Sequence, residues 1–341
     1  MNPGLRRITL RWLSAIPAAT ALAAIAFGTP AALGAVTRSA RAASPAPLAR
    51  STRCRRGPGT AYVGATGKVG GQQTLTAVSL ATGKVAGRRI KAGPTRGPIT
   101  ITPHGSIAYV ANRYSDTVTP VSTCTGRALT AIRTGAGPTA AAITPDGRLL
   151  YVASYSSGSV TPIKVATGAA LKPIKVGPNP WVIAITPNGK TAYVTSRVDN
   201  TVTPIDTATG RAGKPIKVGP YPRFVLITPN GKLAFVSSHL TASYVTPIVI
   251  ATGAALPMIK IRGSAEHFAM APDGRTAYVV SLRPGTLTPI STVTARGERP
   301  VPLQGAPPTS LSPRKGGVLF GVAGEARRGE AKRGRPGPGG I

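Results

Sequence analysis

Acidic residues are scarce in this chain of 341 residues: 9 Asp and Glu stand against 42 Lys and Arg, for a formal net charge of +33 at pH 7. A surface this basic attracts polyanions such as nucleic acid, anionic lipid or acidic wall polymer. Aromatic residues are also few, at 5%, whereas base stacking requires aromatic side chains among the basic ones. The composition therefore favours a solvated basic surface over specific nucleic-acid binding.

Cysteine and histidine are too few for the common zinc and haem sites. The chain has 2 Cys and 3 His, with no CxxC or CxxCH motif, which excludes those sites. We expect no metal and no cofactor. Cys54 and Cys124 leave two alternatives: a disulfide bridge, which export would permit, or a small buried thiol at Cys124, where other repeats carry alanine.

Long apolar runs are confined to the N-terminus. Three arginines precede the apolar stretch 13–28, which is typical of an export signal. Small residues predict cleavage after Ala42, with Ala35 as the alternative, so we interpret residues 1–42 as a signal peptide and 43–59 as a linker. If uncleaved, the segment is long enough to anchor the chain. We expect a secreted or cell-surface protein with no membrane span after signal removal.

Glycine (41) and proline (34) are plentiful, and they recur within an internal repeat. The phrase "ITPNGKTAYVTS" (185–196) returns with small changes at 143–154, 227–238 and 271–281. Its aromatic residue recurs at spacings of 47, 42, 42, 42, 43 and 42, as Tyr62, Tyr109, Tyr151, Tyr193, Phe235, Tyr278 and Phe320. A fixed period of this length indicates a repeat architecture.

Each period predicts four short strands: "VIAIT" (182–186), "TAYVTS" (191–196), "TVTPIDTATG" (201–210) and "KPIKVG" (214–219). Pro-Asp/Asn-Gly makes a tight turn between the first and second strands, because glycine accepts a positive φ, and "ATG" ends the third strand in the same way. The proline inside the third strand has no N–H. It must therefore lie at a bulge or on an unpaired side.

Four antiparallel strands in about 42 residues match one blade of a β-propeller. We predict an all-β propeller over residues 60–323, with six complete repeats and a partial seventh. Either 308–316 supplies the missing first strand of a six-bladed ring beside Tyr62, or a seven-bladed ring ends at 318–323, which we favour. The basic, Gly/Pro-rich residues 324–341 are predicted to be a disordered tail.

The repeat "TPDGRxxYVxS…SVTPIKVATG…IKVG" resembles the YVTN-family β-propeller repeat over residues 60 to about 323. This resemblance implies a ring of usually seven blades in a secreted or cell-surface protein, and some family members are surface-layer-like. The repeat is also distantly similar to lactonase-type propellers and streptogramin lyases. That similarity implies an alternative function, as a lactonase- or lyase-type enzyme acting at the propeller mouth.

Positions at which the repeat departs from its own consensus are the candidate site. The loops that follow the second strand and precede the first lie on one rim, and scaffolded loops commonly carry binding residues. Arginine suits carboxylate or phosphate, and aromatics stack on a ring or sugar. The alternative is that loop tips simply vary. The candidate ligand-binding residues are Arg113, Tyr155, Trp181, Arg197, Arg223 and His267.

Glu266 and His267, with His239 from the preceding blade, are the catalytic candidates if the protein is an enzyme. We align Glu266 with the loop proline and His267 with Trp181 and Arg223. An adjacent Glu-His pair is more often incidental than catalytic, and no G-x-S-x-G elbow is present. The sequence therefore favours a monomeric, non-catalytic binding or scaffold protein. Its expected targets are anionic cell-envelope components, a protein partner or a small acidic ligand.

Overall fold

A computed structural model of the chain describes residues 60–66, 72–79, 90–94, 98–239, 243–281, 285–303, 310–314 and 317–321. The predicted signal peptide, linker and tail lie outside these residues. Within them the chain forms strands and turns, and no helix is long and apolar enough to cross a membrane.

The strands are numbered in chain order. They are β1 (Thr60–Thr66), β2 (Gln72–Ser79), β3 (Ile90–Pro94), β4 (Ile99–Ile101), β5 (Ile107–Asn112), β6 (Thr117–Ser122), β7 (Arg127–Ala128), β8 (Ile132–Arg133), β9 (Pro138–Ile143), β10 (Leu149–Ser154), β11 (Ser159–Lys164), β12 (Ala169–Ala170), β13 (Ile174–Lys175), β14 (Pro180–Ile185), β15 (Thr191–Ser196), β16 (Thr201–Asp206), β17 (Arg211–Ala212), β18 (Ile216–Lys217), β19 (Pro222–Ile227), β20 (Leu233–His239), β21 (Ser243–Val249), β22 (Ala254–Ala255), β23 (Ile259–Ile261), β24 (Ala265–Met270), β25 (Thr276–Ser281), β26 (Thr286–Ser291), β27 (Val301–Pro302), β28 (Ser310–Arg314) and β29 (Gly317–Gly321).

These strands form seven antiparallel sheets in chain order, the blades of a β-propeller. Blades two to five each have a first, second and third strand and an outer strand split into two short segments, such as β14-β15-β16 with β17 and β18. Blade six is β24-β25-β26-β27. Within the described residues, blade one (β1-β2-β3) has no first strand and blade seven (β28-β29) has no third or fourth. The predicted all-β propeller of repeated four-stranded blades is confirmed.

The partial seventh blade stands as its own hairpin. β28 pairs with β29, placing Leu311 opposite Phe320, whereas β1 pairs with β2. Among the described strands none joins β28 to β1, so the six-bladed alternative is not the arrangement found. Two neighbouring strands pair across a short turn at little loop-closure cost, which a pairing between the two ends of the chain does not share.

The repeated Thr-Pro-Asp/Asn-Gly segment forms the predicted turn between the first and second strands. In blade four, Thr186 Oγ1 donates to Asn188 Oδ1 at 2.7 Å, and the Gly189 N–H donates to the Thr186 carbonyl at 2.8 Å. Gly189 has a φ of 73°. A side chain in this left-handed region costs energy, which explains why every turn of this kind uses glycine.

Alanine substitution at two of these glycines distinguishes the energetic cost of backbone strain from that of a steric contact. Gly105→Ala, where a Cβ would meet nothing within 4 Å, is expected to lower the free energy of unfolding by about 1–2 kcal/mol. Gly189→Ala is expected to cost about 1 kcal/mol more, because its Cβ would lie 3.2 Å from Pro145 Cδ of the preceding blade. Urea unfolding of both variants measures the difference. Equal losses would mean that the Pro145 contact contributes nothing.

The prolines of the third strands cost no hydrogen bond to the second strands. Pro162 lies opposite Tyr151, and its carbonyl accepts the Leu171 N–H of the outer strand at 2.8 Å. The N–H and C=O of one strand residue point to the same side, so the missing donor would have faced the outer strand. That strand is divided into β12 and β13, as the predicted interruption requires.

The aromatic residue of the second strand is buried in blades two to five, and in blade three it packs against the next blade. Tyr151 of blade three is 1% exposed, lies with Ala192, Val194 and Ile205 of blade four, and donates its hydroxyl to the Thr207 carbonyl at 3.1 Å. Its equivalents in other blades are also fully buried: Tyr109, Tyr193 and Phe235. A buried aromatic removes about 150–250 Å² from water. The blades are therefore packed into a rigid support for the rim loops.

Candidate ligand-binding rim

Loops from four consecutive blades converge on one rim. Arg113, Tyr155 and Arg197 each directly follow a second strand (β5, β10 and β15), Trp181 lies in β14, and Tyr221 directly precedes β19. These five residues form what we call the arginine–aromatic cluster. The structure therefore brings together four of the six predicted ligand-binding residues and adds Tyr221.

Cation–aromatic contacts run through the cluster from blade to blade. The Arg113 guanidinium carbon lies 5.1 Å from the ring centroid of Tyr155 and 5.8 Å from that of Trp181. The Arg197 guanidinium carbon lies 3.5 Å from the Trp181 centroid and 4.3 Å from the Tyr221 centroid. The Tyr155 and Trp181 rings meet edge to face, 6.0 Å apart. Each such cation–π contact contributes about 0.5–2 kcal/mol.

Arg197 is the most buried member of the cluster, with 8% of its surface exposed. Burial lowers its pKa to about 10, Tyr221 and Tyr155 raise that pKa, and Arg223 and Arg113 lower it. Among the described residues, none accepts a hydrogen bond from its buried Nε–H. The guanidinium is thus a partly desolvated cation with donors left to satisfy.

The positive charge of the cluster is not balanced by ion pairs. Among the described side chains, neither Arg113 nor Arg197 forms an ion pair with a carboxylate; the ion pair between Arg148 and Asp146 lies at a turn. Asp116, in the loop after Arg113, accepts the Gly137 N–H at 2.8 Å. This carboxylate therefore serves loop geometry, and the cluster keeps its charge available for an anion.

Backbone irregularities place two of the aromatic rings. Trp181 lies in a β-bulge, where the register of β14 against β15 shifts between Pro180 and Ile183. Tyr221 has a φ of 55°, rare for an aromatic residue, and its N–H donates to Asn200 Oδ1 at 2.8 Å. Bulges re-aim side chains, and Asn200 locks the strained turn that presents Tyr221.

Sequence reasoning missed Tyr221. Its equivalents in the two preceding blades are Gly137 and Asn179, and all three have a positive φ. An aromatic residue in a position otherwise given to Gly and Asn was the available signal. Strain of this kind concentrates at functional sites.

Tyr221→Gly separates binding from stability. Glycine adopts the left-handed backbone without strain, so the free energy of unfolding is expected to change by less than about 1 kcal/mol. Affinity for an anion is expected to fall about fivefold, because Arg197 loses one of its two covering rings and a contact worth about 1 kcal/mol. Urea unfolding and calorimetric titration measure the two effects. Unchanged affinity would show that the ring does not support Arg197.

Arg223 and His267 lie beside the cluster. The Arg223 guanidinium carbon is 5.9 Å from the Phe224 ring centroid, and the Phe224 and His267 rings lie 5.6 Å apart. Arg223 also influences the Arg197 pKa. Arg223 therefore extends the positive charge of the cluster, whereas the ring contact of His267 is with Phe224.

The strand register corrects one equivalence expected from the sequence. Ala265 pairs with Ser281 and His267 with Val280, as Pro222 pairs with Ser238 and Phe224 with Ser237. Ala265 therefore replaces the proline, Glu266 takes the bulge position of Trp181 and Arg223, and His267 matches Phe224. Aligning the blades on the loop glycine gave the other equivalence. Pairing with the second strand sets the register and therefore decides which residues are equivalent.

The catalytic candidates and cysteines are only partly described. Glu266 lies in the bulge of β24 and His239 ends β20, but both side chains lie outside the described set. Cys124 is disulfide-bonded, and Cys54 is outside that set too, so their pairing stays a prediction. The described residues hold no group of three or more His, Cys, Asp and Glu side chains suited to a metal ion.

A shallow cavity of about 430 Å³ adjoins the arginine–aromatic cluster. It lies between the loops of blades three and four on the same rim, and Tyr155 belongs to both the cavity wall and the cluster. The lining residues are Tyr155, Ser156, Ser157, Gly158, Lys175, Gly177, Pro178 and Asn179.

No protein-family model matches the chain, and no curated protein matches it. Solved propeller structures resemble it. A hydrazine synthase of Kuenenia stuttgartiensis aligns with a TM-score of 0.61 at 23% identity, covering 74% of this chain and 86% of that one. A putative 6-phosphogluconolactonase of Bacteroides uniformis gives 0.60 at 15%, covering 78% and 86%. The dihydro-heme d1 dehydrogenase NirN gives 0.63 at 18%, covering 80% and 61%. At these identities the likeness shows the fold alone.

Proposed function

We propose that this chain is an exported, non-catalytic binding protein, a propeller of YVTN-type repeats that holds an anionic group of its ligand on one rim. The Arg197 guanidinium carries this proposal. It is buried between the rings of Trp181 and Tyr221, with Arg113 and Arg223 as charged neighbours. A bound anion would offset the mutual repulsion of these cations and restore the charge interactions lost on burial.

The geometry of Arg197 suits a carboxylate or a phosphate. The guanidinium carbon lies over both rings, and a guanidinium carries its N–H donors at the edge of its plane. Such edges bind planar or tetrahedral oxyanions with two parallel hydrogen bonds. Lysine has no equivalent planar edge, which supports specific recognition rather than general attraction.

The cluster supplies binding groups rather than catalytic ones. Its members are guanidinium and aromatic side chains, and arginine stays protonated near neutral pH even with its pKa lowered to about 10. General acid–base catalysis needs a group that exchanges its proton near the working pH. These residues favour holding a ligand over transforming it.

The ligand is expected outside the cell. The N-terminal segment 1–42 has the pattern of an export signal, and the net charge of +33 concentrates anions around the surface. We propose an anionic cell-envelope component or an acidic partner as the target of a secreted or surface-held monomer.

The anion-binding proposal predicts that Arg113→Gln elutes from an anionic matrix at a lower salt concentration than the matched control Arg211→Gln. Both variants remove one unit of charge, but Arg211 is exposed in the outer strand β17 and lies away from the cluster. A tenfold loss of affinity corresponds to about 1.4 kcal/mol, within reach of one arginine–anion contact. Equal elution of the two variants would show that bulk charge alone causes retention and would contradict the proposal.

A further inference from the structure

Resting on the proposed function, we infer that the ligand is an acidic carbohydrate. Its carboxylate or phosphate lies on the arginine–aromatic cluster, and its hydroxyl groups occupy the cavity between blades three and four. Tyr155 connects the cluster and the cavity, because it lines the cavity and also contacts Arg113 and Trp181. One molecule can therefore contact both.

The cavity wall is made of groups that pair with hydroxyls. Ser156 and Ser157 contribute hydroxyls, Asn179 an amide and Lys175 an ammonium group. The Lys175 Nζ donates to the Ser157 carbonyl at 3.2 Å, which draws this outer-strand cation onto the rim. Hydroxyl, amide and ammonium groups together offer both donors and acceptors, as a sugar ring requires.

Asn179 lines the cavity in a backbone conformation that is less favourable for asparagine than for glycine. Its φ is 50°, a backbone state that glycine adopts without strain, and its equivalent in the preceding blade is Gly137. Among the described residues, none forms a hydrogen bond with the Asn179 side-chain amide. The Asn179 amide is therefore available to a ligand at the cavity wall.

The arrangement disfavours two other ligand classes. A purely apolar ligand would leave the polar half of the cavity wall unpaired, and burying such groups without hydrogen bonds costs energy. A nucleotide base needs an open aromatic face, but the Trp181 and Tyr221 rings already hold the Arg197 guanidinium. The Arg113 guanidinium likewise lies over the Tyr155 ring. The volume of about 430 Å³ lies within the usual range for small-ligand sites.

The test is calorimetric titration of the full chain with matched probes. Glucuronate carries both a carboxylate and ring hydroxyls, acetate the carboxylate alone, and tetragalacturonate presents the same chemistry as a polymer. Glucuronate or tetragalacturonate is expected to bind at least tenfold more tightly than acetate. If tetragalacturonate binds more than four times as tightly as glucuronate, the ligand is a polymer. If its affinity per sugar residue equals that of glucuronate, the ligand is a free sugar acid.

Substitutions in the cavity wall test whether the cavity causes the tighter binding of the sugar acids relative to acetate. Asn179→Gly keeps the backbone conformation and removes the amide, and Lys175→Gln removes the cavity cation; each is expected to lose most of the preference over acetate. Lys217→Gln is the matched control, because Lys217 is the equivalent residue one blade on and contacts the Asp199 carbonyl instead. Its preference is expected to stay within twofold of the wild type.

Different results would contradict the carbohydrate inference and the anion-binding proposal. Equal affinity for glucuronate, tetragalacturonate and acetate, each still weakened by Arg197→Gln, would overturn the carbohydrate inference and leave anion binding standing. Absence of binding to all three acids, or the same affinities in Arg197→Gln and Arg211→Gln, would overturn both. A cavity variant as selective as the wild type would also overturn the assignment of the cavity.

Discussion

Arg197→Gln is expected to lower the affinity for an anionic ligand by about 10- to 150-fold, the equivalent of about 1.5–3 kcal/mol for hydrogen bonds between charged groups. Arg197 is the buried centre of the cluster, covered by Trp181 at 3.5 Å and Tyr221 at 4.3 Å. Glutamine keeps a planar polar end but has no charge, and it is too short to reach the same position. No other residue of the cluster is expected to have a larger effect on binding.

The same substitution is expected to leave stability nearly unchanged. Burial lowers the pKa of Arg197 to about 10 in the folded chain, below its ordinary value in the unfolded chain. Between these two pKa values the unfolded state binds more protons, so stability rises with pH there. Below pH 10, burial of the charged guanidinium therefore lowers the free energy of unfolding. Arg197→Gln removes this penalty but also removes the cation–π contacts. The two effects oppose each other.

Calorimetric titration with a soluble anion and thermal unfolding, performed on the same samples, test this pair of outcomes. Arg211→Gln controls for the loss of one charge. Arg197→Lys retains the charge without the planar guanidinium, and it is expected to recover only part of the affinity. A large drop in melting temperature with unchanged affinity would show that Arg197 is structural and would contradict its assignment to the site.

Phe235→Ala is expected to lower the free energy of unfolding by about 3–5 kcal/mol, the usual cost of deleting a buried aromatic side chain. Phe235 is 0% exposed and packs against Ala277, Val279 and Ile290 of the next blade. Its removal opens a void between two blades as well as within one. Propeller blades are stabilised by contacts with their neighbours, so the loss falls on an interface that the rim loops depend on.

Phe235→Tyr is the matched control. Other blades carry tyrosine at this position, and Tyr151 donates its hydroxyl to the Thr207 carbonyl. Thr292 of blade six corresponds to Thr207 of blade four, so we expect its carbonyl to accept a hydrogen bond from the added hydroxyl. The control is expected to stay within about 1 kcal/mol of the wild type. A loss below about 1 kcal/mol for Phe235→Ala in urea unfolding would contradict the inter-blade role.

Much of the propeller was predictable because its information is local. The Thr-Pro-Asn-Gly turn at Gly189, the Ala-Thr-Gly turn at Gly210 and the proline at Pro204 each act through their own backbone constraints. From Tyr109 onward the aromatic residue of the second strand recurs every 42 or 43 residues, because each blade repeats the same packing against its neighbour. The sequence also predicted six complete repeats and a partial seventh. It left open which strand the partial seventh blade would pair with.

The site was less predictable because its members are far apart in the chain. Arg113 and Tyr221 are more than a hundred residues apart, and which rings meet which guanidinium depends on loop geometry. Tyr221 and the cavity residue Asn179 occupy equivalent positions, and the residue type at this position varies from blade to blade, with Gly137 in blade three. The sequence alignment placed Glu266 and His267 one position away from their structural equivalents, because strand pairing rather than the loop glycine decides which residues are equivalent.

The sequence by itself determined the all-β repeat, its turns, the recurring aromatic of the second strand and the rim that would carry Arg113, Tyr155, Trp181 and Arg197. These features follow from backbone constraints and side-chain size within a single repeat. Only the tertiary structure decided that Arg197 is enclosed by Trp181 and Tyr221, and that a polar cavity adjoins Tyr155. Such contacts arise between blades, where bulges and positive-φ residues orient side chains that no local pattern can place.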